Sequence, residues 1–386
     1  MDSRKFYVIF CLLGMMSCKH DKPESYSGIG LVPEDSTMIR LDNYSEKIIH
    51  LGSRITNDPL SSQIVVIDGK EKYLMLDESF IYLFDWDSGM VEDSISIASC
   101  GHLYGFSGFT YINQDSIYVY NYNRREISLI DMSGTVKESK KIPSPSATTH
   151  EYISSVEALN GCRICKLGNN LILSGRYLGS SLSEEKRIIP VAESVETSSN
   201  IIRALAYYPT QYHNENWGSN YMNSVYTVSG PKEAFLISFP ILPIVYKFSS
   251  DFEECDTLIM RSRYDTGIQP CEMKPEKMYE DKTNEIRYYI SQPTYSNILY
   301  DPHRQLYLRV AQHKLDSWDG KSAFIKPFSI IVADSYGIAL SESSILKDSS
   351  PFMLYNMHIC KDGLAIATRN EDEDNLYFTC FKINMQ

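Results

Sequence analysis

Cys162-Arg163-Ile164-Cys165 places two thiols three residues apart, the Cys-x-x-Cys spacing that can hold zinc or cycle between dithiol and disulfide. A structural zinc site needs a second pair, and the other cysteines and histidines of the chain are scattered. On a strand, positions three apart point to opposite faces. The pair therefore reads as buried or loosely exposed thiols. Glu371-Asp372-Glu373-Asp374 has the charge of a calcium loop but lacks the glycine and distal glutamate of an EF-hand, and reads as a solvated hairpin turn. The chain has no Gly-x-Ser-x-Gly, no His-Glu-x-x-His and no phosphate loop. This lowers those enzyme classes and leaves open a site assembled from distant loops. No cofactor and no metal are expected.

The stretch from Tyr207 to Tyr221 differs in kind. Tyr207, Tyr208, Tyr212, Trp217 and Tyr221 stand among His213, asparagines, a glutamine and a glutamate, without the alternation of a core strand. Amphipathic rings beside adaptable amides suit a sugar ring or a peptide. Those five aromatics and His213 are the candidate ligand-binding residues. The competing reading is a long loop folded over the domain, its rings covering the core. The abundance of tyrosine throughout, 28 residues, favours the cover.

Cys18 carries a different chemistry. Arg4 and Lys5 precede an apolar run from Phe6 to Met16, and Ser17-Cys18 follows. The run is too short to cross a hydrocarbon core, which takes about 20 apolar residues, and lies where a secretory signal is read and cut. Met15-Met16-Ser17-Cys18 resembles the bacterial lipobox, so residues 1–17 are expected to be a lipoprotein signal peptide and Cys18 the lipid carrier. Residues 18–30, with Pro23, Gly28 and Gly30, read as a flexible tether. The expected location is extracytoplasmic, anchored to the cell envelope, with the outer membrane as host.

Loss of residues 1–17 removes Asp2, Arg4 and Lys5, so the remaining chain carries 35 basic and 48 acidic side chains, the whole chain 37 and 49. That balance argues against a nucleic-acid partner. Seven cysteines beyond Cys18 remain in the mature chain; seven cannot all pair, and a chain this long buries a core without staples. Mostly free buried thiols are expected, with at most one or two bridges.

The elements that position these residues are strands. Short segments rich in Tyr, Ile, Leu and Val recur between Ile39 and Ile383, parted by Asp, Asn, Ser and Gly. The best helical candidate, Lys274 to Asn284, is short and polar. Residues 107–113, 115–121, 126–131 and 136–142 read as a four-strand meander with a Met132-Ser133-Gly134 turn. Residues 62–67, 72–77, 80–85 and 91–97 repeat it around Asp87-Ser88-Gly89. Further second strands fall at Leu171–Gly175, Glu233–Phe239, Gln305–Ala311 and Leu364–Arg369. The shortest spacing matches the length of a propeller blade. The last unit, Tyr355 to Ile383, supplies three strands, so its fourth must come from Met38–Leu51 and close the ring. The fold expected over residues 31–386 is all-β: a single six-bladed β-propeller domain of four-stranded antiparallel blades.

Gly105 to Gly134, Ser262-Arg263-Tyr264 and Tyr295 to Pro302 through Tyr307-Leu308-Arg309 resemble a family of uncharacterised Bacteroidetes lipoproteins. That family is known as a domain of unknown function and is similar to six-bladed propellers. The resemblance implies the same fold across the mature chain and brings no catalytic residues. The expected function is a lipid-anchored binding or sensing module for a glycan or peptide. Its rivals are a glycan-active hydrolase or lyase and a structural subunit of an envelope complex.

Overall fold

The computed structural model describes residues 38–385, apart from 53–54, 145–151, 179–187, 200, 214, 219 and 319–325. The signal peptide, Cys18 and the tether lie outside the described residues. Six antiparallel sheets form the blades of a propeller. Blade 6 includes β1 (Ile39–His50), which precedes all others in the chain. Blade 1 holds β2 (Ser62–Ile67), β3 (Lys70–Asp77), β4 (Phe80–Asp85) and β5 (Val91–Ser96). Blade 2 holds β6 (Gly108–Asn113), β7 (Ser116–Asn121), β8 (Glu126–Ile130) and β9 (Val136–Lys141). Blade 3 has its first strand in two pieces, β10 (Ser155–Glu157) and β11 (Cys165–Leu167), followed by β12 (Asn170–Arg176), β13 (Pro190–Glu196) and β14 (Ile202–Tyr207).

Blade 4 comprises β15 (Tyr226–Ser229), β16 (Phe235–Ser238), β17 (Ile244–Phe248) and β18 (Cys255–Ile259). Two helices, α1 (Pro275–Glu280) and α2 (Lys282–Ser291), lead to blade 5, built from β19 (Thr294–Asp301), β20 (Leu306–Gln312), β21 (Phe328–Asp334) and β22 (Ala339–Glu342). Blade 6 is completed by β23 (Phe352–Cys360), β24 (Gly363–Thr368) and β25 (Asn375–Ile383). Every segment read from the sequence as a second strand is the second strand of its blade. The Glu233–Phe239 segment is trimmed, since residues 231–233 form a 3-10 turn. The helical stretch runs further than Asn284: Asp281 accepts from the Thr283 N–H at 2.8 Å and starts α2, while Ile286, Tyr289 and Ile290 carry it against the core.

The strands differ in burial as their places demand. Second strands such as β7, β20 and β24 are almost wholly buried, whereas the outer β5 and β9, Val-Glu-Asp-Ser-Ile-Ser and Val-Lys-Glu-Ser-Lys-Lys, are mostly exposed and charged. Charge on an outer edge prevents strand addition from another chain. An apolar cluster fills each seam between neighbouring blades. The seams also share a turn: Asp85 Oδ1 accepts from Ser88 N, Asp131 Oδ1 from Ser133 and Thr135 N, and Asp334 Oδ1 from Tyr336 and Ile338 N. In the first of these, Gly89 has φ +72° and a Cβ there would stand 2.0 Å from the Ile48 carbonyl oxygen of the preceding blade.

Among the described residues Cys100, Cys162, Cys165, Cys360 and Cys380 are buried free thiols. The run Glu371–Asp374 occupies the exposed turn between β24 and β25.

The N-terminal strand closes the ring. β1 pairs antiparallel with β25 from Tyr44 opposite Phe381 to His50 opposite Asn375, and the His50 N–H donates to Gly89 O of blade 1 at 2.8 Å. Ile39 and Leu41 enter the seam between blades 5 and 6, Ile49 and Leu51 that between blades 6 and 1. Burial of each such side chain contributes about 1.5–3 kcal/mol. Ile49→Ala should therefore lower the unfolding free energy by about 2–5 kcal/mol, while Glu46→Gln on the exposed part of the same strand stays within about 0.5 kcal/mol. Denaturant midpoints measure both; equal midpoints for the two variants would contradict closure by β1.

Candidate functional site

Ring closure brings six first strands to one axis, and a looped segment of blade 3 occupies it. Glu157 lies opposite Ser174, and continuing that register would set Leu159 opposite Ile172; Cys165 is found there instead. Six residues are thus inserted, and the chain leaves the blade at Ala158 and returns at Cys165. The inserted residues touch distant blades. Asn160 Oδ1 accepts from the Ser62 N–H at 2.7 Å in blade 1, and the Asn160 N–H donates to Leu60 O at 2.9 Å. Cys162 bridges Thr227 of blade 4. A Cβ on Gly161 would meet Asn297 Oδ1 at 2.7 Å and the Tyr226 ring at 3.0 Å, so glycine is what lets the backbone pass between blades 4 and 5. Arg163 reaches blade 6.

There the polar groups interlock. Arg163 Nη2 donates to His358 Nδ1 at 3.0 Å. Nδ1 is then the acceptor and Nε2 carries the proton, which faces Asn356 Oδ1 at 2.7 Å and Ser62 Oγ at 3.1 Å. The hydroxyl of Ser62 has Asn356 Oδ1 and Asn160 Oδ1 each at 3.2 Å. The Tyr73 hydroxyl stands beside Ser62 and Asn356 without a well-aligned bond. Burial, and then the Arg163 charge, hold the His358 imidazole well below its ordinary range, so it stays neutral. Burial lowers Arg163 to about 10, still charged at neutral pH.

Beyond this layer, toward the turns that follow the first strands, lies a cavity of about 170 Å³. Gln63, Thr110, Asn160, Arg163, Thr227 and Ser229 give it polar walls, and Ile64, Ile164, Val228, Ile298 and Leu299 apolar ones. Arg163 is enclosed by protein yet keeps open surface, and it lines this space. Cys165 lines it too, its thiol pushed up to about 12 by burial. Cys162 donates to Ser174 Oγ at 3.3 Å. The two thiols of the Cys-x-x-Cys pair are thus buried and protonated, and no cluster able to hold a metal occurs among the described residues.

The residues singled out between Tyr207 and Tyr221 lie elsewhere, over blades 3 and 4. Tyr208, Tyr212 and Trp217 are 2%, 1% and 7% exposed and share one core cluster with Phe239. Their polar ends are satisfied inside: Tyr208 OH donates to Asn223 O at 2.6 Å, Tyr212 OH to Met222 O at 2.8 Å and Trp217 Nε1 to Gln211 O at 2.9 Å. His213 Nε2 donates to Tyr208 O at 2.9 Å. Tyr221 packs on Tyr289 of α2 with centroids 4.9 Å apart, and Tyr207 is exposed at the end of β14. The structure thus brings three of the rings together as cover and does not form an open aromatic platform from them. Asn160, Arg163, Asn356 and His358 were not singled out by sequence. The available signal was the Asn160-Gly161 turn pair breaking an apolar stretch, with one arginine between two buried cysteines.

Two outcomes follow. Tyr212→Ala combined with Trp217→Ala should lower the melting temperature markedly, since removing a buried large aromatic costs about 3–5 kcal/mol; Tyr207→Ala should not, and a double variant that melts like the parent would contradict the cover role. For His358, the unfolded chain takes up a proton near pH 6.5 while the folded one does so only well below it. Stability from this group is complete above pH 6.5 and falls as pH drops, by up to about 1.4 kcal/mol per unit. The drop in stability from pH 7 to 5 should be smaller in His358→Gln than in the parent; equal pH dependence of the denaturant midpoints would contradict a neutral His358.

Several solved structures share the fold. A protein from Bacteroides vulgatus of the DUF4221 family superposes with a TM-score of 0.73 at 17% identity, covering 89% of this chain and 97% of that one. A candidate exported protein from Bacteroides fragilis gives a TM-score of 0.56 at 12% identity, covering 91% and 98%. No curated protein sequence matches the chain. The profile of the family described as domain of unknown function DUF4221 matches residues 39–336, and the chain belongs to that family.

Proposed function

We propose that the protein is a lipid-anchored, extracytoplasmic binding or sensing module whose ligand enters the axial cavity. The carrying observation is the cavity itself: polar side chains from several blades converge on a space at the propeller axis, positioned by a network that spans blades 1, 3 and 6. A hydrolase or lyase needs an acid and a base poised in one pocket. The ionisable groups on the cavity wall are a charged arginine and a thiol held protonated, with a neutral histidine behind the arginine, an arrangement suited to orienting a ligand. The export part of the reading is supported by the Met15–Cys18 motif and by the B. fragilis neighbour, a candidate exported protein.

Two experiments test it. Cys18→Ala should move the protein from detergent-dependent membrane fractions to the soluble extracytoplasmic fraction; persistence in membranes would remove Cys18 as the anchor. A thermal-shift screen of small polar solutes should find compounds that raise the melting temperature by mass action on the folded state, and Ser229→Phe, which fills the cavity, should abolish those shifts. Shifts that survive Ser229→Phe would place binding elsewhere.

A further inference from the structure

Other buried cations show how this chain satisfies such groups. Arg309 donates to Ser238 Oγ and to the carbonyls of Met260, Phe239 and Leu242, and lies 4.0 Å over the Tyr295 ring. Lys326 donates to the carbonyls of Tyr289 and Gln292 and to Thr294 Oγ1. Lys140, half-buried, takes the carbonyls of Glu196, Thr197 and Ser199 and pairs with Glu138 at 3.3 Å. Among the described residues Arg163 has one hydrogen bond, to His358, and its Nε has no partner. The ionisable groups that act on it among the described residues are Cys165 and Tyr73, neither of them a carboxylate.

A guanidinium offers five donors in a planar fork, and an enclosed cation that leaves most of its donors unmet is strongly disfavoured. The end of the fork, Nη1 with the second hydrogen of Nη2, can face the two oxygens of a carboxylate. Since Arg163 lines the cavity and keeps open surface beyond its enclosed Nε, we propose that the axial site binds a small carboxylate, its oxygens on the terminal nitrogens of Arg163 and its body along Thr110, Ser229, Val228 and Ile298. This rests on the axial reading above and adds the ligand class. A cavity of about 170 Å³ has room for roughly ten waters or a solute of that size, and its mixed walls suit a short hydroxy acid or a uronic acid.

The probes are lactate and D-glucuronate, each with its neutral counterpart, lactamide and D-glucose, and inorganic phosphate, titrated calorimetrically into the purified protein. At least one carboxylate should bind at least about tenfold more tightly than its counterpart. Arg163→Gln should weaken it by about tenfold or more, as expected for lost charge-assisted bonds. Arg163→Lys, which keeps the charge without the fork, should fall between and carries the comparison if Arg163→Gln does not fold. Equal affinity for a neutral counterpart, unchanged affinity in both Arg163 variants, binding of phosphate alone, or no binding of either carboxylate at millimolar concentration would overturn the proposal. Glucose binding that ignores Arg163→Gln but is abolished by Ser229→Phe would overturn the carboxylate and leave the axial site standing; carboxylate binding indifferent to both would overturn both.

Discussion

The pairing of β1 with β25 is the interaction on which the rest of this protein depends. It is the contact of greatest sequence separation, joining Ile39–His50 to Asn375–Ile383. Without it blade 6 has three strands, the seams on either side of it lose Ile39, Leu41, Ile49 and Leu51, and the ring has an open edge. A closed ring also fixes the geometry at its centre. Six first strands face one another across an axis too wide for their side chains to fill, and polar groups on them must find partners or leave desolvated atoms that each cost about 1–3 kcal/mol.

The chain meets that requirement with the six inserted residues of blade 3. They bring backbone and side-chain amides to the axis, where Asn160 satisfies Ser62 and Arg163 orders His358, while Asn297 donates to the Leu354 carbonyl between blades 5 and 6. The polar layer is therefore a structural joint between blades that do not neighbour one another. It is also the floor of the cavity. Locking the joint and presenting Arg163 are consequences of the same insertion, which is why the proposed site lies at the axis rather than in an outer loop.

The strand pattern was readable because it is local: alternation between turn residues gave each blade, and a three-strand final unit required Met38–Leu51. The helix from Lys282 to Ser291 was underestimated since its polar surface hides the spacing of Ile286, Tyr289 and Ile290 until a partner is known. Composition could not distinguish a sugar platform from a cover between Tyr207 and Tyr221, because a buried tyrosine and a ligand-facing one both need a partner for the hydroxyl. Tyr208 and Tyr212 find theirs in the Asn223 and Met222 carbonyls, a matter of tertiary placement. At residues 162–165 the thiols are buried, as their spacing on a strand implied. The side chain on which the proposal rests is the arginine between them, which has no carboxylate partner among the described residues, a matter of tertiary placement.

The state of the Arg163 guanidinium tests this account most directly. In a proton–nitrogen spectrum of arginine side chains, with Arg163 assigned by its absence in Arg163→Lys, the Nε–H should exchange slowly because protein encloses it, and should move when a carboxylate is added and not when its neutral counterpart is. An Nε–H that exchanges as fast as a surface arginine, or that ignores both additions, would contradict a buried, unpaired guanidinium facing the axial cavity.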